Sequence, residues 1–304
     1  MRDLKIGQLS FWCFVSSAAL FVGSVAFWLP LGGPKLFATP ASTLLWPILL
    51  YVLAHVARML RLGLLLGSIR LRRLLGLYIY TGACSALIPF KLGELARINE
   101  IAWQQSGNYA RGLVIVWVER VFDLIAVGAI ILVLMTRGEV EPGPIAPVLW
   151  LICVFVLATV CFFFVLPEQL ATLNLHVMRT YRDRKAVRIL KILEAINNFS
   201  QMARPLLHGR ILTLSLVTLF IWGFEVMALG LLMQDVRSWT PFVRLVSQFA
   251  DIIVHRPGHQ ASADALASIL DQWKILVLSV PGLVALCLFH KWRRSASPRK
   301  GWIR

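Results

Sequence analysis

Ionisable side chains interrupt the apolar segments of this chain at four places. His55, Arg58 and Arg61 follow one another at intervals of three residues, so they lie near one face of a helix. An ionisable side chain at mid-bilayer costs at least about 2.5 kcal/mol, so it normally faces the interior of a bundle and finds a partner there. The other three groups are Lys91, Glu94 and Arg97 just after Pro89, then Glu119, Arg120 and Asp123, and finally Glu225 alone.

These residue types have the chemistry to accept a charged lipid headgroup in a polar cavity. The planar fork of a guanidinium matches the oxygens of a phosphate, so Arg58, Arg61 and Arg97 would contact that phosphate. The acids would balance the arginines or bind an amino group. Ion pairs that only hold helices together are the alternative, and it stays open for the 119–123 group and for Glu225.

Signatures of catalysis are missing from the sequence. It has no glycine-rich phosphate loop, no H-E-x-x-H and no nucleophile elbow. A buried Glu/Asp pair could do acid–base work, but neither a nucleophile nor a set of metal ligands accompanies it. Five cysteines lie in or beside apolar runs without C-x-x-C spacing, and six histidines are scattered. We therefore expect no enzyme activity, no metal and no cofactor.

The elements that carry these residues are apolar runs of membrane-spanning length. Of the 304 residues, 58% are hydrophobic and 15% are charged, whereas soluble domains are about a quarter charged. A run of about 20 residues in a helix crosses the hydrocarbon core. We predict an all-α, polytopic membrane bundle that forms one integral membrane domain, 1–304. Its six full spans are 8–30, uncleaved, and then 44–66, 112–135, 145–165, 211–233 and 273–290.

The distribution of charge orients these spans. Segment 167–210 holds eight Lys/Arg against three acids, and the tail 291–304 holds six basic residues and no acid. The positive-inside rule therefore places both termini and segment 167–210 in the cytoplasm, and segments 137–145 and 235–272 outside. The net charge of +16 then reflects orientation and anionic headgroups, and we expect no nucleic-acid partner.

Part of segment 167–210 has the pattern of an amphipathic helix. Ile189, Leu193 and Ile196 fall at i, i+4 and i+7, which is the spacing of one helix face.

This orientation predicts a re-entrant element at 74–97. The second span ends inside and the span from residue 112 starts inside, so the segment between them begins and ends on the same face. Its apolar part, 74–88, is short for a span, and Pro89 interrupts it. Irregular backbone at membrane depth is tolerated only where protein or a water-filled cavity covers it, so the hairpin would line a cavity. An ordinary short span is the alternative.

Residues 119–123 hold two acids against one arginine, which leaves one negative charge without a local partner. In a low-dielectric bundle this acid would be protonated or would meet a cation from another helix. We therefore predict that the 119–123 face packs toward the hairpin and the second span and encloses a charged cavity open to the cytoplasmic half.

Two motifs resemble those of a known family. Residues 89–97, PFKLGELAR, look like the P-x-x-x-G-E-x-x-R signature of the lysylphosphatidylglycerol synthase transmembrane, or flippase-like, family. Residues 119–123, ERVFD, are similar to the E-R-x-x-D that follows it there. The resemblance covers roughly residues 75–135. It implies a multi-span bundle with re-entrant helices that moves lipids, and we do not expect the soluble aminoacyltransferase domain of some relatives.

The resemblance and the charge pattern together give the candidate headgroup-binding residues. Matched residue by residue, the family motifs contribute Gly93, Glu94, Arg97, Glu119, Arg120 and Asp123, and the charge pattern adds Arg58, Arg61, Lys91 and Glu225. The expected function is translocation, direct or assisted, of an anionic or polyprenyl-linked lipid between leaflets of the inner membrane. A non-catalytic membrane partner in envelope glycan or lipid assembly, with a membrane or cytoplasmic biosynthetic partner, is one alternative. A membrane-embedded transferase acting on lipid-linked sugars is another.

Overall fold

The computed structural model describes residues 41–67, 70–87, 93–104, 108–138, 142–180 and 184–232, together with residues 15 and 19. This part of the chain is helical and contains no strand. The nine α-helices of residues 41–232 are α1 (Ala41–Leu66), α2 (Leu71–Leu87), α3 (Gly93–Gln104), α4 (Tyr109–Thr136), α5 (Pro142–Val160), α6 (Leu166–Thr180), α7 (Arg184–Gln201), α8 (Ala203–Leu207) and α9 (Ile211–Leu232).

Within those residues, three helical stretches are long and apolar enough to cross a membrane. They are Leu45–Leu66, Ile145–Arg179 and Ile211–Ala228. They correspond to the predicted spans 44–66, 145–165 and 211–233. The all-helical architecture and these apolar helices fit the predicted membrane bundle. The predicted spans 8–30 and 273–290 and the basic tail 291–304 lie outside the described residues.

Helix α4 covers the remaining predicted span, 112–135, in one uninterrupted helix of 28 residues. It is not among the three apolar stretches, because Glu119, Arg120 and Asp123 lie in its middle. The number of full spans therefore stays a prediction. Whether α4 can cross a membrane depends on how the charges of Glu119, Arg120 and Asp123 are neutralised.

The described helices fall into two compact units, and one of them contains α2 and α3. These two helices pack against each other so closely that a Cβ added at Gly93 would overlap the backbone of Ser85. Only glycine fits such a contact without displacing a helix. A helical pair around Pro89 agrees with the predicted hairpin, although its helices extend beyond 74–97 to Leu71 and Gln104. Re-entry into the membrane stays a prediction.

The start of α4 belongs to the same unit and packs against α3. A Cβ at Gly112 would lie 2.9 Å from the carbonyl oxygen of Ile98. The Tyr109 hydroxyl donates a hydrogen bond of 3.0 Å to the side-chain oxygen of Asn99, which is buried. From Leu113 onward, α4 belongs to the second unit, with α1 and α5 to α9.

In the second unit, α4 and α5 form an antiparallel pair. Near their connection, Ile131 and Leu134 pack with Ile145 and Val148 in an apolar core. At the other end, the Trp117 indole donates a hydrogen bond of 3.1 Å to the hydroxyl of Thr159. Residues late in α4 thus contact residues early in α5, and Trp117, early in α4, contacts Thr159, late in α5. The two helices therefore run in opposite directions.

A π-helical turn, Cys161–Val165, joins α5 to α6 without a break. Its wider winding changes the backbone hydrogen bonding, and the Leu166 N–H reaches back to the Cys161 carbonyl. Arg204 of α8 donates a hydrogen bond of 3.0 Å to the carbonyl of Phe164 and lies 3.7 Å from Glu168. Beyond this turn, α6 and α7 pack together. The predicted amphipathic helix within 167–210 is confirmed by α7, although Ile189 on it is exposed.

Candidate functional site

A bidentate ion pair between α1 and α4 forms the centre of the candidate site. Arg61 Nη1 lies 2.6 Å from Asp123 Oδ1, and its Nη2 lies 3.1 Å from Oδ2. Two parallel hydrogen bonds from one guanidinium fork to one carboxylate are the strongest arrangement that such a pair can adopt. Arg61 is buried, with 4% of its side chain exposed, so solvent screens this pair little.

Two further groups complete the surroundings of Arg61. The Nε atom lies 3.9 Å from Glu119 Oε1, and Glu119 is itself 1% exposed. The hydroxyl of Thr218 on α9 accepts a hydrogen bond of 3.1 Å from Nη1 and donates one of 2.7 Å to the Leu214 carbonyl. Arg61 is therefore held by polar groups of both α4 and α9, and it links three helices.

A second ion pair connects α1 to α9. Arg58 Nη2 lies 2.5 Å from Glu225 Oε1, with about a quarter of each side chain exposed. Further along, Arg210 donates a hydrogen bond of 2.5 Å to the Leu64 carbonyl near the end of α1. Arg58, Arg61 and Leu64 follow one another along α1, and their partners Glu225, Thr218 and Arg210 have successively lower residue numbers. The two helices are therefore antiparallel. Both ion pairs lie within one turn of α1, because Arg58 and Arg61 are three residues apart.

Arg120 is the most exposed member of this group. Its Nη1 lies 3.3 Å from Asp123 Oδ2, and 40% of its side chain is exposed, against 14% for Asp123. We call Arg58, Arg61, Glu119, Arg120, Asp123, Glu225 and Thr218 the ion-pair cluster. Its three guanidiniums and three carboxylates balance. A neutral cluster lowers the cost of placing these side chains at membrane depth, since each charge has a partner.

The sequence predicted part of this arrangement. With two acids against one arginine in residues 119–123, one negative charge needed a cation from another helix, and Arg61 of α1 supplies it. The predicted packing of this face against the second span is thereby confirmed. Its predicted packing against the 74–97 hairpin stays a prediction.

Three of the remaining candidate residues, Gly93, Glu94 and Arg97, lie on α3 in the other compact unit. Glu94 and Arg97 are half-buried, and Gly93 is buried at the contact with α2. Lys91 lies outside the described residues. Glu100, which the sequence analysis missed, is 1% exposed and is more buried than Glu94. The sequence could have indicated Glu100 as a further member of this group, because it lies three residues after Arg97 and side chains one turn apart are neighbours on a helix.

Thr218 is the other functional candidate that sequence reasoning missed. It lies in a strongly apolar helix, where a hydroxyl is most simply satisfied by its own backbone. Its spacing of seven residues from Glu225 places both on one face of α9, and that face meets Arg58 and Arg61. Polar residues sharing a helix face inside an apolar run were thus a usable signal.

The cluster is suited to holding and exchanging ions. Guanidiniums bind carboxylates and phosphates with the same fork, so an anionic ligand can substitute for a carboxylate at an accessible arginine. Among the described residues, no group of three or more His, Cys, Asp or Glu side chains could hold a metal ion.

Apolar helices joined by ion pairs at membrane depth define a helical integral membrane protein. The model of the lysylphosphatidylglycerol synthase TM region matches residues 14–258, and the chain belongs to this family. Both family motifs recognised in the sequence lie within the matched residues. Membership relates the chain to membrane proteins of lipid handling. Comparisons with curated proteins and with solved structures gave no significant match.

Proposed function

We propose that this protein translocates, or helps to translocate, an anionic or polyprenyl-linked lipid between the leaflets of the inner membrane. It does so as a multi-pass protein with both termini in the cytoplasm, without enzymatic chemistry or a cofactor. The single observation that carries the proposal is the ion-pair cluster, which joins a buried Arg61–Asp123 pair to the partly exposed Arg58, Glu225 and Arg120. The family's association with lipid handling supports it.

The two parts of the cluster have different roles in this proposal. Arg61 has two carboxylates and a hydroxyl around it and little exposure, so it fixes α1 against α4 and α9. The exposed parts of Arg58 and Arg120 are open to a ligand.

A phosphate at Arg58 takes the place of the Glu225 carboxylate, because it offers oxygens of the same charge to the same fork. Glu225 is then available to an amino group of the headgroup. This exchange stabilises a charged headgroup at a depth where an unpaired charge is costly. The sequence has no ATP-binding motif, so movement is facilitated, coupled to an ion or dependent on a partner.

Lipid movement in liposomes tests the proposal. Purified protein is reconstituted with a fluorescent phosphatidylglycerol, and a membrane-impermeant quencher measures how fast inner-leaflet lipid reaches the outer leaflet. Arg58→Gln combined with Glu225→Gln removes the pair without leaving a lone charge, so the protein should remain folded. We expect its rate to fall about tenfold, the equivalent of one lost charge-assisted hydrogen bond.

The matched control is Arg73→Gln, which removes an exposed arginine at the start of α2. Its rate should equal that of the unchanged protein. A folded double variant that moves lipid at full rate would show that the Arg58–Glu225 pair is only scaffold. An unchanged protein that moves no lipid would favour a non-catalytic assembly partner, and chemical conversion of the added lipid would favour a transferase.

A further inference from the structure

Helix α7 combines basic residues with exposed apolar side chains. Within Arg184–Gln201 the sequence places four Lys/Arg against the single acid Glu194. Val187, Ile189 and Ile192 are each about half exposed. A helix with this composition binds at a membrane surface, where apolar side chains enter the acyl region and cations meet anionic headgroups.

An apolar groove lies between α7 and the π-helical turn. Its volume is about 420 Å³, within the roughly 300–1,000 Å³ of sites that bind small molecules. The rings of Phe162 and Phe199 are 5.9 Å apart at their centroids, and among the described lining residues Lys191 carries the charge. The lining residues are Phe162, Lys191, Ile192, Ala195, Ile196 and Phe199.

The position of the groove along the chain matches the edge of the hydrocarbon layer. From Ile145 to the π-helical turn the chain is strongly apolar, over roughly the 20 residues that cross a bilayer. Beyond that turn, α6 and α7 are amphipathic. Phe162 therefore lies where an apolar stretch gives way to helices of mixed polarity, and we expect such a transition at the depth where acyl chains meet headgroups.

We propose that this groove binds one acyl chain of an anionic phospholipid, with Lys191 contacting the headgroup phosphate. The apolar lining selects the acyl chain, and the net positive charge that the sequence gives to α7 selects a net negative headgroup over a zwitterionic one. Lys191 is exposed, and its ammonium on a flexible four-carbon stem reaches a phosphate at the mouth of the groove. This site is separate from the ion-pair cluster and does not depend on lipid translocation.

Native mass spectrometry of the detergent-purified protein tests this site. Dioleoyl-phosphatidylglycerol and dioleoyl-phosphatidylcholine are titrated separately, and bound lipid is counted for the whole chain. The Arg58→Gln/Glu225→Gln variant serves as the background for these titrations, because it lacks the phosphate site of the ion-pair cluster. In this background we expect one saturable phosphatidylglycerol with clearly higher affinity than phosphatidylcholine. Lys191→Gln should lower the phosphatidylglycerol affinity about fivefold, the effect of one cation near an anionic surface, and leave phosphatidylcholine unchanged.

Two further variants separate the groove from general attraction to positive charge. Ala195→Trp fills the groove at an exposed position and should remove the saturable lipid. Arg179→Gln removes an exposed cation on neighbouring α6 and should leave binding as it is. Equal binding of both lipids, or equal losses in the Lys191 and Arg179 variants, would overturn the proposal. So would a protein dimer that Ala195→Trp dissociates, since a second copy would then occupy the groove.

Discussion

Arg61 shows why a charged side chain is tolerated deep in an apolar helix. Its neighbours on α1 offer no counter-ion, so its partners come from helices far away in the sequence. The bidentate contact with Asp123 and the hydrogen bond to Thr218 use the guanidinium fork, which a lysine could not reproduce. The stability of this unit therefore depends on residues that also belong to the candidate site.

Asp123→Asn should destabilise the protein strongly. The change removes the negative charge that Arg61 binds at 2.6 Å and leaves it the more distant Glu119 carboxylate, at 3.9 Å. Loss of one partner of a buried pair costs about 3–5 kcal/mol, because the other charge stays buried. Thermal or denaturant unfolding in detergent, followed by the helical circular dichroism signal, measures this loss.

Arg120→Gln is the matched control for this prediction. It also removes a partner of Asp123, but its own side chain is 40% exposed, so water solvates what remains. We expect a loss of about 1 kcal/mol or less. Equal losses in the two variants would contradict the assignment of Arg61 as the main partner of Asp123.

At the scale of the elements, the close approach of α2 and α3 depends on Gly93. The family motif places a glycine directly before Glu94, and the structure gives the reason, because the backbone of Ser85 occupies the space of a side chain. The identity of this residue is therefore explained by packing, independently of any contact with a lipid.

Gly93→Ala should loosen this helical pair. A Cβ there forces α2 and α3 apart, and overpacking of this kind typically costs about 1–3 kcal/mol. Gly82→Ala, on α2, meets nothing within 4 Å and should stabilise that helix by up to about 1 kcal/mol. Unfolding temperatures of the two variants measure both effects. A Gly93 variant as stable as the Gly82 variant would show that the contact is not tight.

The sequence predicted the helices better than their pairings. Apolar runs of about 20 residues identified α1, α5 and α9, because the length needed to cross a bilayer is a property of the local sequence. The partner of Asp123 is not such a property, since Arg58, Lys91 and Arg97 satisfied the same charge argument as Arg61. Thr218 was missed because hydroxyls in apolar helices commonly bond their own backbone. The π-helical turn has no signal in an uninterrupted apolar run.

At the scale of the whole molecule, the uneven distribution of charge is the main argument for orientation. The 31 Lys/Arg exceed the 15 Asp/Glu, and the excess is concentrated in 167–210 and 291–304. Such segments remain in the cytoplasm, because their translocation is disfavoured and the inner surface is anionic. From this orientation we expect α7 and its groove to lie at the cytoplasmic surface, where anionic lipid is available to them.

The same orientation predicts that both ends of the α2–α3 pair lie on the cytoplasmic face. Single cysteines in a cysteine-free background test this: Arg72→Cys at the exposed start of α2, and Ser106→Cys between α3 and α4. Neither should react with an impermeant thiol reagent added outside intact cells, and both should react once the membrane is opened. By the positive-inside rule, we expect the charges of Arg97 and Arg111 to keep the second site on the cytoplasmic side.

Arg137→Cys, at the exposed end of α4, is the positive control and should react from outside in intact cells. Its expected side follows from Glu139 and Glu141, which accompany the only basic residue of segment 137–145. Reaction of Ser106→Cys from outside, with Arg72→Cys protected, would mean that the α2–α3 pair crosses the membrane. In that case α4 would have to start outside, and the side assigned to Arg137 would reverse with it. The three positions together therefore distinguish a re-entrant hairpin from a full span.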